Sequence, residues 1–416
     1  MKKLFQLLLL TICIIFTSTA SAENIRVGLV ENQKTCELKS NSDFTVYCEG
    51  REENFKKGKY FVPIENDKLY LDKKLGFVDS IIIKSADGKP LSINKRDYKG
   101  SLKISMADDK LLVTNELDLE DYLASVVPIK VMQIWPDEAI KAQAVAARSY
   151  ALYSKNNSSK AYDIFANDKE LRYYGTGKDV EREGITKFVE ATRGEYLAYY
   201  GAPIKALTTQ STGGQTEAVS GYPYLASVKD FDSDSPDNTW EKRVNPFLLQ
   251  NFVERGGHKI GKLKCVFLSP LDEIGQDRTS SGRVKYMSLS GDKGSAQITG
   301  EELAEILELP STLFDVRSEV PIPETLSLPI TNSWGFEVGA MEMPIEINTD
   351  DKPIWKNKKA YHLISGGKEE KLIFKGRARG EGHGLSTWGA KGMADEKEAN
   401  YREILAHYYP GTSLVE

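Results

Sequence analysis

"WPDEAIKAQAVAARSYALYSK", residues 135–155, decides the fold class. Pro136 suits a first helical turn, and Asp137 and Glu138 complement the positive end of the helix dipole. Ile140, Ala144, Ala147 and Ala151 recur at helical spacing, so one face is apolar. The alanines on it allow close approach to a neighbour. Arg148 falls inside that arc, between Val145 and Leu152. It reads either as a structural arginine or as one turned toward a ligand in a cleft. Spacing alone favours the structural reading.

Upstream the character differs. "IRVGLV", "FTVYCEG", "KYFVPI", "DSIIIKS" and "SLKISM" are short β-branched or aromatic runs divided by Asn, Asp, Gly and Lys. They predict strands from residue 23 to about 105. "LLVTNELDLEDYLASVVP" passes from strand to short helix. Downstream, "GEYLAYYGAPIKALTTQSTGGQTEAV" predicts a hairpin turning at Gly201, its second strand ending at Gly213 and Gly214. Those two glycines form a turn, either plain or closely approached by a ligand. "ITGEELAEILEL" predicts a helix capped by Thr299, and "NYREILAHYYPG" a last helix stopped by Pro410 and Gly411. The expected class is α+β: mixed sheets with a few packed helices, preceded by a β-rich N-terminal region. The expected divisions are a leader at 1–22, the β-rich region at 23–95 and a second domain at 96–416. That second domain contains a strand-rich insertion at about 320–373.

The first 22 residues have the layout of a secretory signal. Lys2 and Lys3 precede an apolar run at 4–16, and Ala20, Ser21 and Ala22 form a small-residue cleavage pattern. The run is well short of the ~20 residues that span a bilayer. No later stretch is long and apolar enough to do so. The expected location is therefore secreted or periplasmic and cell-wall associated, with no membrane span after cleavage. The net charge of −5 argues against a nucleic-acid partner, which wants a basic surface. Cys36 and Cys48 lie 12 apart in the first strands and can close a disulfide outside the cytoplasm. Cys265, in an apolar run, reads as a buried thiol. The cysteines and histidines have no zinc spacing, so neither metal nor cofactor is expected.

The stretch "GRARGEGHGLSTWGAKGM", residues 376–393, sets Glu381 and His383 between Gly380, Gly382 and Gly384. It lacks the strand, helix and acid of a dinucleotide fingerprint. With "NELDLEDYLASVVP", the long helix, "VEATRGEYLAY", "STGGQTE", "TGEELAEILELPSTLFDV" and "YREILAHYYPGT", it resembles the stage II sporulation protein D and LytB amidase-enhancer family. The resemblance runs from about 96 to 318 and from 374 to 415. It implies an α+β fold that works on peptidoglycan glycan strands. Sporulation members are lytic transglycosylases, in which one carboxyl first protonates the leaving oxygen and then accepts a proton from the sugar. The family motif Val-Val-Pro-Ser-Glu-Met-Pro aligns with Val126, Val127, Pro128, Ile129, Lys130, Val131 and Met132, so Lys130 stands at the glutamate position. Glu381 stands where the ribbon of the family has histidine. Thr209 replaces another histidine, and Lys169 and Glu170 replace a proposed zinc pair, so no metal carries over.

The resemblance therefore leaves Lys130 and Glu381 at the positions where chemistry is expected. It adds Arg148, Ser211, Thr212, Gly213, Gly214, Gly382, His383, Gly384, Ser386 and Trp388 as glycan-binding candidates. For Glu381 and His383, cleft and solvent remain equal readings. Three functions are open: a transglycosylase-like enzyme, a non-catalytic glycan binder that stimulates a cell-wall amidase, and an extracellular interaction protein. Lys130 counts against the first. Lys130 and Glu381 also keep complementary charge, which suggests a swapped ion pair.

Overall fold

The computed structural model describes residues 23–132, 134–177, 183–271, 275–319, 325–331, 337–344, 361–364 and 370–416. The signal layout at 1–22 lies outside them, as does part of the insertion. The chain divides into two compact units, one of residues 1–129, 151–196 and 415–416, the other of 130–150 and 197–414. The fold is α+β.

The first unit holds the expected strands. One sheet has seven, in the order Ile164–Phe165, Asn24–Gln33, Lys110–Asp118, Ser101–Ala107, Ser80–Ser85, Phe44–Cys48 and Arg51–Phe55. Alternation decides its buried face: Ile81 and Ile83 are fully covered, while Ile82 between them is 38% exposed. Asp108 and Asp109 both have positive φ and close the hairpin between Ser101–Ala107 and Lys110–Asp118. Short polar side chains tolerate that conformation, and two-residue hairpins require it. The second sheet has six strands and includes Thr35–Ser40. Cys36 belongs to this sheet and Cys48 to the other, and both are free and buried, so the disulfide expectation is corrected. Burial pushes the Cys36 thiol up to about 12. Cys265 is also free, and only half-buried.

Seven helices lie among the described residues: α1 (Leu119–Lys130), α2 (Asp137–Asn157), α3 (Glu183–Ala191), α4 (Pro246–Arg255), α5 (Gly300–Ile306), α6 (Thr387–Lys397) and α7 (Tyr401–Tyr408). α1 follows its strand directly, as the sequence predicts, and α5 starts with a capping box between Thr299 and Glu302. Neither α4 nor α6 is legible in the sequence. Pro246 opens α4 behind an Asn245 cap, while Gly389 and Gly392 disguise α6.

In the second unit α2 is covered on more than the predicted stripe: Ile140, Ala144 and Ala147 of that stripe are buried, and so are residues on the other side of the helix. Ala139, Ala142, Val145 and Ala146 pack with Ala390 and Met393 of α6 and Ile404, Leu405 and Tyr408 of α7. A second core gathers α4 and α5 against the three-stranded and four-stranded sheets, around Phe314, Phe374, Val266 and Met287. The hairpin at Gly201 is present, with Tyr199 opposite Ala202. Its second strand is only Ala202–Pro203, however. The chain pairs again at Thr208–Thr209, in parallel with Leu385–Ser386.

Candidate functional site

The glycine ribbon at 380–384 is shaped by what each missing side chain admits. All three glycines have positive φ. A Cβ at Gly380 would meet Thr209 Oγ1 at 2.5 Å, and one at Gly384 would meet Leu207 O at 2.0 Å. A Cβ at Gly382 would lie 2.4–2.5 Å from the Arg283 guanidinium. The close approaches that demand glycine are thus made by the protein itself. Thr209 Oγ1 accepts from Gly382 N at 3.1 Å and lies 3.2 Å from Arg379 O, to which it donates. A threonine fastens the ribbon here.

The turn at 211–214 is fastened as firmly. Ser211 Oγ accepts from Arg379 N at 2.9 Å. Asp232 accepts from the backbone N–H of Thr212 and of Gly213, at 2.6 and 2.8 Å. Asp230 accepts from Thr212 Oγ1 at 2.6 Å and from the Tyr408 hydroxyl at 2.5 Å. Burial and then the neighbouring Asp232 hold the Asp230 carboxyl above its ordinary range. Burial, then Asp230, pushes the Tyr408 phenol far upward. Ser211, Thr212 and Ser386 are buried, their hydroxyls engaged internally, and Ser386 caps α6 through Gly389 N. Arg148 is 1% exposed. These four candidates shape the site from beneath and present no open surface to a ligand.

The accessible candidates are others. Glu381 and Gly214 are exposed, and Lys130, Gly213, His383 and Trp388 are half-buried. Lys130 Nζ, at the end of α1, donates to the Thr208 hydroxyl. Thr208 sits opposite Leu385, the residue after the ribbon, so Lys130 reaches the strand pair into which the ribbon leads. His383 Nδ1 lies 3.1 Å from the Glu217 carbonyl oxygen, and Glu217 N donates to Gly382 O at 2.8 Å. The Trp388 ring meets Trp135, centroids 5.0 Å apart, and its backbone N–H donates to Gln210 O.

Arg283 is the residue that the sequence did not announce. It is 3% exposed and donates to Gly380 O at 3.0 Å, Thr312 Oγ1 at 3.3 Å and Thr212 O at 3.4 Å. Among the described residues its Nε has no hydrogen-bond partner. Burial lowers this guanidinium to about 10, against the charges of Glu217, Glu381 and Asp232, which favour the cation. The Glu217 carboxylate is in turn held by Thr279 Oγ1 at 2.7 Å and by Ser281. "SSGRVKY" offers no period or motif to mark Arg283. The paired acids in "KDFDSD" offered a weak signal for Asp230 and Asp232.

Among the described residues no group of three or more His, Cys, Asp and Glu side chains is placed to hold a metal ion. No described helix is long and apolar enough to cross a membrane.

The chain is similar in sequence to known proteins. Residues 107–199 match the SpoIID family model, described as "Stage II sporulation protein". The chain is 26% identical over 347 residues to an uncharacterized protein of Brachyspira hyodysenteriae, covering 82% of this chain and 77% of that one. It is 25% identical over 376 residues to the amidase enhancer of Bacillus subtilis, covering 86% of this chain but only 50% of that protein. It is also 25% identical over 320 residues to stage II sporulation protein D of Bacillus subtilis, covering 72% and 75%. The resemblance that the ordered motifs carried is thereby shown. The matched 107–199 segment includes Lys130 and Arg148.

Proposed function

We propose that this chain is an exported cell-wall protein that binds peptidoglycan glycan strands without cleaving them, in the manner of an amidase enhancer. The names of its relatives support a wall-related role. The 96–416 region carries the activity on this reading, with 23–95 as a β-rich region ahead of it. The observation that carries the non-catalytic reading is the lysine bonded to a threonine where the family pattern has its acid. A carboxyl protonates a leaving oxygen and then takes a proton back. An ammonium that donates to Thr208 offers no such alternation. Binding needs only accessible polar and aromatic groups, which Glu381, His383 and Trp388 supply.

The test uses the mature protein, purified sacculi and denuded glycan strands. The protein is expected to co-sediment with sacculi and to release no anhydro-muramic product detectable by mass spectrometry. Failure to sediment removes the binding reading, and anhydro products overturn the non-catalytic one. Native protein whose N-terminal sequence began at Met1 rather than near Glu23 would remove the export reading.

A further inference from the structure

A pocket of about 580 Å³ opens in the second unit, lined by Thr239, Trp240, Glu241, Leu271, Lys375, Gly376 and Arg377. Its size falls within the ~300–1,000 Å³ of small-ligand sites. Trp240 begins a strand and stands opposite Gly376 of the neighbouring strand. A Cβ at Gly376 would lie 2.1 Å from the indole, so glycine is what lets the ring lie across the sheet. Trp240 Nε1 donates to Ala378 O at 3.2 Å, and Phe314 packs beside the ring, with centroids 6.2 Å apart. The indole is therefore fixed before any ligand arrives, and it remains half-buried with surface on the pocket.

The rim is charged and uneven. Glu241 is engaged by Arg243 at 3.1 Å and by Lys375 at 3.4 Å. Arg377 spends its backbone on Leu313 and Ser311, while its side chain is exposed at the pocket edge. Three residues later the chain becomes the glycine ribbon. An aromatic floor suits the C–H face of a pyranose ring, with polar edges for its hydroxyls. A planar guanidinium beside it suits a carboxylate.

We infer that this pocket is a second saccharide subsite, next along the chain to the ribbon, which takes a sugar unit bearing a carboxylate. The inference rests on the glycan-binding reading above. In glycan strands whose stem peptides have been removed that unit is N-acetylmuramic acid, whose lactyl carboxylate, freed from its amide to the peptide, would pair with Arg377 while its ring stacks on Trp240.

The mature protein, labelled with nitrogen-15, is titrated with a muramic-acid-containing disaccharide and with chitobiose, which lacks the lactyl group. The readout is the Trp240 indole N–H resonance, assigned with Trp240→Phe. The muramic disaccharide is expected to shift this resonance and to bind more tightly than chitobiose. Arg377→Gln, on the surface and with its backbone bonds intact, is expected to weaken the muramic ligand about tenfold and to abolish the preference. An unmoved resonance, or a preference that survives Arg377→Gln, overturns the subsite. If the protein then still sediments with sacculi, the subsite alone has failed. If the wild type does not sediment, the glycan reading has failed and the subsite falls with it.

Discussion

The guanidinium of Arg283 lies flat against Gly382, in the space that any Cβ there would fill. This places a buried cation directly under the middle of the ribbon. Gly382→Ala meets both a positive φ and this clash, and a loss of about 2–4 kcal/mol is expected. Gly50, also at positive φ but with open space around it, is the control: Gly50→Ala carries only the backbone strain, about 1–2 kcal/mol. Urea denaturation of both variants decides it. Equal losses would mean that Arg283 yields freely.

Asp230 gives stability a pH dependence opposite to that of an ordinary ion-paired acid. The folded state holds its proton more tightly than the unfolded chain, because burial and Asp232 raise its pKa. Its contribution is therefore complete below about pH 4 and is lost as pH rises through the raised pKa. Asp230→Asn removes that loss. The stability of the variant relative to wild type is expected to improve between pH 4 and pH 7. A difference that stays flat, or moves the other way, contradicts the assignment.

Arg148 is covered on all sides, so its removal acts on the core of the second unit. Arg148→Ala is expected to cost roughly 2–4 kcal/mol, since it empties a buried site. Loss of sacculus binding should follow the loss of folded protein, as read by circular dichroism. A fully stable variant that no longer binds would return Arg148 to the ligand surface.

Lys130 and Glu381 are proposed as a swapped charge pair. Lys130 reaches Thr208, and the charge of Glu381 acts on Arg283. A double-mutant cycle with Lys130→Ala and Glu381→Ala measures their coupling. A pair at this exposure is expected to show up to about 1 kcal/mol. Additivity within about 0.3–0.5 kcal/mol means that they do not interact. Anhydro-muramic release that survives the first substitution but not the second would make Glu381 an acid catalyst.

The three cysteines of the described residues are expected to remain thiols. With Cys36 raised to about 12, almost no thiolate exists at pH 8. A thiol reagent should leave Cys36 unmodified in the native protein and label it once urea is added. Recovery of a Cys36–Cys48 peptide under non-reducing conditions would contradict the separate sheets.

Local signals were legible wherever one residue type dictates one conformation. The β-branched run at Ile81–Ile83, the Thr299 cap, the apolar stripe of α2 and the Gly201 turn all depend on near neighbours. α6 was hidden because Gly389 and Gly392 lower helix propensity for a tertiary reason. A Cβ at Gly389 would strike Asp230, and one at Gly392 would strike the Phe231 backbone. The site itself was half legible. The ribbon glycines stood out, but not what they admit, since Thr209, Leu207 and Arg283 come from distant stretches. The hydroxyls of Ser211 and Thr212 read as ligand contacts, because nothing local showed that Arg379 and Asp230 engage them.

The short parallel pairing of Thr208–Thr209 with Leu385–Ser386 has a kinetic consequence. Nearby, the Thr387 hydroxyl donates to Thr209 O across 178 residues of chain. Closing so long a loop carries an entropic cost before the contact is gained, and such pairings slow folding. Synthesis runs from the N-terminus, so the second half of the site emerges last. The β-rich strands of the first unit have all been made by then. Until the final forty or so residues are made Thr208–Thr209 has no partner strand, and the surface around the ribbon comes into being as one of the last acts of folding.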